Sequence, residues 1–160
     1  MKLWVKVVLV TVLIAAPAMV LGPIIWPPAE GGPEPTGGQL PFFIFLALCE
    51  CALLGLGVSF LLFGLPAVRR VSPDSKLRAW VMYLSIGWLM VSWWPHDNLH
   101  IHNGENMHGL LFIEYGFHFT LMIGALALAY CFVSLLHQWG GAPTVAGQAS
   151  GEASLAGRVR

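Results

Sequence analysis

The sequence predicts an all-α integral membrane protein, a four-helix bundle with both termini cytoplasmic. Three observations carry that prediction. Only 10% of the 160 residues are charged and 57% are hydrophobic, against about a quarter charged in a soluble domain, and the mean hydropathy is +0.73. Four apolar runs, Leu3 to Ile25, Pro41 to Leu65, Leu77 to Trp94 and Gly109 to Leu136, approach or exceed the ~20 helical residues that cross a ~30 Å hydrocarbon core. If each run crosses, all eight Lys and Arg residues fall on one side, and cytoplasmic loops hold such an excess. Residues 1–139 are thus read as a four-span transmembrane domain and 140–160 as a small, polar tail whose composition predicts disorder.

The first run has a basic start and an Ala16-Pro17-Ala18 sequence, features of a secretory signal. The apolar stretch continues past Ala18 to Ile25, with Trp4 and Trp26 near its ends, so an uncleaved helix is expected. The loop Pro27 to Leu40 is Pro- and Gly-rich with Glu30 and Glu34, and reads as a linker or a cover. The second run opens on Pro41, favourable at a helix start, and places Glu50 between Cys49 and Cys51. At ~1.5 Å per residue that carboxyl lies about 14 Å into the membrane, where an ionisable group faces the protein interior with a partner. Cys49, Cys51 and Cys131 all fall inside spans and are expected to pack as small apolar residues.

In the turn that follows, Arg69 and Arg70 suit the end of the second helix, and Ser72 or Asp74 could cap the third. Ser85, Trp88 and Ser92 form a mildly polar stripe that points toward His96, although small hydroxyl residues are also ordinary helix packing in membranes. Pro95 should interrupt this helix, because Trp94 before it is disfavoured in helical geometry. A short interfacial helix then follows, with Pro95 in its first turn and an end at Asn103-Gly104. On it His96 and His100 share a face while His102 points elsewhere. Asn106 is the expected cap of the fourth helix, on which Glu114 and His118 share a face, His118 about 15 Å below the outer end. Phe112, Tyr115 and Phe119 read as core or lipid-facing packing, and His137 and Trp139 as interfacial anchors.

Function is expected in the stretch Trp93 to His118, which holds five of the six histidines together with Asp97, Glu105 and Glu114. Imidazole and carboxylate groups suit transition metals. The first reading is therefore a site for Cu, Zn or Fe built from His96, His100, His118, Glu114 and Asp97, with Asp97 orienting an imidazole and Glu50 acting as a counter-group to His118. The greater depth of His118 opposes a single compact site unless the loop folds inward. No His-Glu-x-x-His zinc-protease pattern is present. The histidine spacing resembles one His box of membrane desaturases and hydroxylases; the further boxes of those di-iron enzymes are missing, so their activity is not carried over.

Three other readings stand beside it. Glu50, Glu114 and His118, with His100, His108 and Asp97 above them, could handle protons. Glu114, His118 and Glu50 could supply acid–base chemistry to an enzyme acting on a lipid or isoprenoid. The chain could also be an accessory subunit of a larger membrane complex, or a homo-oligomer, its buried polar groups serving helix association. Haem ranks low, since only His118 lies well inside a span. Zero net charge offers nothing to a nucleic acid. The expected location is the cell membrane, with the histidine loop on the extracytoplasmic side.

Overall fold

A computed structural model describes residues 1–31 and 34–140, so the expectation for the tail from 141 onward lies outside the described residues. The described chain is helical, with elements α1 (Leu3–Ile25), α2 (Leu40–Phe63), α3 (Leu65–Val71), α4 (Lys76–Val91), α5 (Trp93–Asn103), α6 (Met107–Ile113), a π-helical turn (Glu114–His118) and α7 (Phe119–Gly140). Three helical stretches are long and apolar enough to cross a membrane: Leu3–Ile25, Leu40–Phe63 and Met107–Gln138. At 16 residues α4 is shorter than these, although only Ser92 separates it from α5.

Local chemistry explains where the elements begin and end. Thr36 and Gln39 form half of a capping box, the Gln39 side chain accepting from the Thr36 N–H at 3.0 Å, one turn before α2. The second apolar run breaks at Gly64, two residues before Pro66, so Arg69 and Arg70 close the short α3 instead of α2. Ser75, not Ser72 or Asp74, caps α4, its hydroxyl accepting from the Arg78 N–H at 3.2 Å. The third run ends at Val91, three residues before Trp94, because the ring nitrogen of Pro95 has no proton to give to the Val91 carbonyl. Asn106 caps α6 as expected, accepting from the N–H groups of His108 and Gly109. Gly104, with φ of +54°, ends α5 in a conformation that favours glycine.

The long helices lie antiparallel in a row: α1 packs on α2, α2 on α4, and α4 on α7. A closed bundle would also pack α1 against α7, and among the described residues these two make no more than marginal contact. The exposed faces of the outer helices are mostly apolar, with Val8, Val12, Leu13, Met122, Leu126 and Phe132 among the residues there, so lipid can cover faces that a soluble bundle would have to bury. At the α1–α2 seam a methyl group on Gly55 would collide with the Thr11 carbonyl. Beside it Ser59, fully buried, donates to the Val7 carbonyl and lies 3.1 Å from the Thr11 hydroxyl. Between α2 and α4 a small core of Val68, Ala79 and Tyr83 forms, with the Tyr83 hydroxyl donating to the Leu61 carbonyl.

This arrangement separates the two ends of the row. Lys2, Lys6, Arg69, Arg70, Lys76 and Arg78 lie at the end formed by the start of α1, α3 and the start of α4. The histidine-rich α5 and the π-helical turn lie at the other.

Candidate functional site

The site is built where α5 leans across α2 and α6. The start of the first loop is tied to α5 rather than free: the Ala29 N–H donates to the Ile101 carbonyl at 3.2 Å, and His102 Nδ1 donates to the Pro27 carbonyl at 2.7 Å. The Trp26 and Trp94 rings meet edge-on, 4.9 Å apart. His102 thus points away from His96 and His100, as the helical spacing predicts.

His96 is the centre. It is buried, with 6% of its surface exposed, and its two ring nitrogens are both engaged. Nδ1 lies 2.7 Å from Asp97 Oδ1; Nε2 lies 3.0 Å from His118 Nε2 and 3.2 Å from His100 Nε2. On the far side His118 Nδ1 is hydrogen-bonded to Glu114 Oε2, and Glu114 Oε1 is 4.0 Å from His100 Nε2. The hinge at Ser92 and the lean of α5 bring His96 to His118, removing the difference in depth that the linear sequence implied.

A carboxylate is an acceptor, so Asp97 and Glu114 each fix a tautomer, with the proton of the neighbouring imidazole on Nδ1. In neutral His96 and His118 the Nε2 atoms are then both lone pairs, and they face each other at 3.0 Å. Two acceptors repel at that distance unless a positive centre, a proton or a cation, lies between them. His100 brings its own Nε2 to 3.2 Å from His96 Nε2. Burial holds its pKa below the 6.5 of a free imidazole, with the neighbouring His96 acting in the same direction and Glu114 and Asp97 opposing.

The remaining residues sort by position. Glu114 lies on the open side, its side chain 48% exposed, and His118 is 41% exposed, whereas His96 is shut in. Access to the cluster is therefore from the flank of α6 and the π-helical turn. Glu50 is buried as expected, with Asp97 of α5 as its acidic neighbour, and His118 is bonded to His96 and Glu114 instead. The expected pairing fails because α5 comes between α2 and the π-helical turn. His108 stays outside, exposed, and contributes only its backbone N–H to the Asn106 cap. Ser92, one turn before His96 on the predicted stripe, is fully buried, and its hydroxyl has no hydrogen-bond partner among the described residues.

No family model, curated protein or solved structure matches the chain. The site must therefore be read from its own geometry. Among the described residues no group of three or more His, Cys, Asp or Glu is arranged, as the side chains stand, to hold a metal ion. The distances show why. Two imidazoles on one tetrahedral ion, each ~2.0–2.1 Å from it, sit about 3.3 Å apart, and His96 approaches both partners more closely than that. The His100 and His118 rings, with centroids 6.4 Å apart, are less drawn together than either is to His96. The side chains rest in hydrogen-bond geometry around His96.

Two features of this site were not visible beforehand. The π-helical turn at Glu114–His118, a distortion frequent at functional sites, has no sequence signal in an otherwise apolar helix. The Glu50–Asp97 approach could have been sought from the pairing requirement of a buried carboxyl, although sequence offered His118 as an equally reasonable partner.

Proposed function

We propose that this chain is a four-crossing membrane protein in which His96, His100 and His118 hold a transition metal ion, copper, zinc or iron. The observation that carries the reading is the pair of Nε2 atoms meeting at 3.0 Å, each imidazole held by a carboxylate at its opposite nitrogen. A carboxylate behind an imidazole is the usual outer support of a histidine ligand, raising its basicity and fixing its orientation. Asp97 and Glu114 therefore act as supports, and the open flank beside Glu114 leaves a coordination position for water or a substrate group. Both termini lie in the cytoplasm by the distribution of Lys and Arg, and the metal end faces outward.

Metal analysis of detergent-purified protein tests this directly. One equivalent of metal per chain, lost in the His100→Ala, His118→Ala double variant with helicity retained, is the expected result. Its absence from carefully prepared wild-type protein overturns the reading.

A second reading rests on Glu50 having Asp97 as its acidic neighbour. With a proton in place of the metal, Glu50, Asp97, His96, His118 and Glu114 form one continuous chain of exchangeable groups from α2 to the open flank, suited to proton transfer. Metal-free wild-type protein whose proton uptake is lost in Glu50→Gln would favour it.

A further inference from the structure

At the end of the row opposite the histidines, α4 and α7 part around an open cleft of about 600 Å³. Arg78 stands at its head. Its Nε donates to Ser72 Oγ at 2.6 Å, Nη1 to Ser134 Oγ at 3.1 Å and Nη2 to Gln138 Oε1 at 3.1 Å. All three partners are neutral, and among the described residues no carboxylate forms an ion pair with this guanidinium. Of the five N–H groups that a guanidinium carries, two have no partner among the described residues.

The neighbouring cations are placed differently. Arg69 lies over the Trp80 ring, 5.9 Å from its centroid, and Lys76 is exposed. Arg78 alone among them is half-buried at the mouth of an apolar trough. The walls are Val81, Ile123, Leu126, Ala127 and Tyr130, and Ile123, Leu126 and Tyr130 are exposed. From Ser134 down to Ile123 the trough runs about 16 Å along α7. A permanent charge at one end and a strip of hydrocarbon leading away from it describe an amphiphile with an anionic head.

We propose that this cleft binds an anionic phospholipid, its phosphate on the two remaining N–H groups of Arg78 and one acyl chain along α7. Arginine matches a phosphate with paired, charge-assisted hydrogen bonds. The hydroxyls of Ser72 and Ser134 hold the guanidinium in place without neutralising it. The site is independent of the histidine cluster and of any metal there.

The test is a lipid titration of the full chain in detergent, followed by native mass spectrometry, with phosphatidylglycerol, phosphatidylcholine and inorganic phosphate as probes. Phosphatidylglycerol should bind about tenfold more tightly than phosphatidylcholine, because both carry the phosphate but the choline cation of the second is repelled by the Arg78 guanidinium. Arg78→Gln should erase that preference, and Arg78→Lys should keep part of it, since a lysine retains the charge without the fork. Ala127→Phe, which fills the trough and leaves the charge untouched, should weaken binding of phosphatidylglycerol and keeps the test open if Arg78→Gln does not fold. Equal binding of the two lipids by wild-type protein overturns the proposal, as does full phosphatidylglycerol affinity in Ala127→Phe. Inorganic phosphate that competes as well as the lipid would reduce the site to a simple anion site and likewise overturn it.

Discussion

The seam between α1 and α2 and the junction of α5 with the π-helical turn are both close helix contacts, made by opposite means. At the seam, Gly55 lets two backbones touch, and one buried serine satisfies itself on the Val7 carbonyl. At the junction, three imidazoles and two carboxylates meet in a contact that is open on one flank. The seam fits small residues together in a membrane, where packing and not water drives association. The junction instead gathers polar, titratable groups, joined to one another by hydrogen bonds through His96. The first contact is closed by small residues, and the second leaves Glu114 and His118 partly exposed.

This contrast breaks most sharply at Gly55. Gly55→Leu drives a side chain into the Thr11 backbone and should destabilise the protein by ~3 kcal/mol, seen as a fall in the denaturation midpoint in detergent. Protein that remains folded should bind metal with unchanged affinity; a parallel loss of affinity would show that seam and site are one unit.

The converse variant is Asp97→Asn, which keeps the shape but removes the anion behind His96. Metal affinity should fall about 10–100-fold, with the denaturation midpoint of the metal-free protein little changed. An affinity within a factor of about two of wild type, well short of that loss, would remove Asp97 from its supporting role.

Acidification acts on the junction alone. His100 is held below the free-imidazole value, so it is neutral and able to donate its lone pair at pH 7. Its folded value is the lower one, so between that value and 6.5 the unfolded chain binds the extra proton, and its contribution to stability rises with pH. Bound metal should therefore be retained on lowering the pH to 6.5 and released below it, as protons compete for the ligands. Release beginning above pH 7 would contradict this assignment.

The smallest effect is expected from Ser59→Ala. It removes one interhelical hydrogen bond at the seam and should cost ~0.6 kcal/mol, with no change in metal content.

Much of this architecture could be read in advance. The length of the first apolar run, the Asn106 cap and the stop at Gly104 are local matters, set by residues within a turn or two of each other, and α1, α6 and the end of α5 follow them; the break ahead of Pro95 falls at Ser92, and Trp94, expected outside a helix, lies in the first turn of α5. The four-residue spacing also anticipated the pairs His96 with His100 and Glu114 with His118. The burial of Glu50 follows from its place in the second apolar run, but its neighbour there, Asp97 of α5, does not. Depth along a helix constrains which residues are level with each other, but it says nothing of which helix stands between them.

By itself, then, the sequence determined that the chain is helical and apolar, that its cations gather at one end, and that its histidines gather near the other, because hydropathy, charge and helical period are properties of short stretches. Only the tertiary structure decided that the long helices form a row, that α5 leans between α2 and the π-helical turn, and that His96 Nε2 lies within hydrogen-bonding distance of both His118 and His100. Those outcomes depend on contacts between residues far apart in the chain, where sub-ångström differences in approach choose between a hydrogen bond, a ligand set and no contact at all.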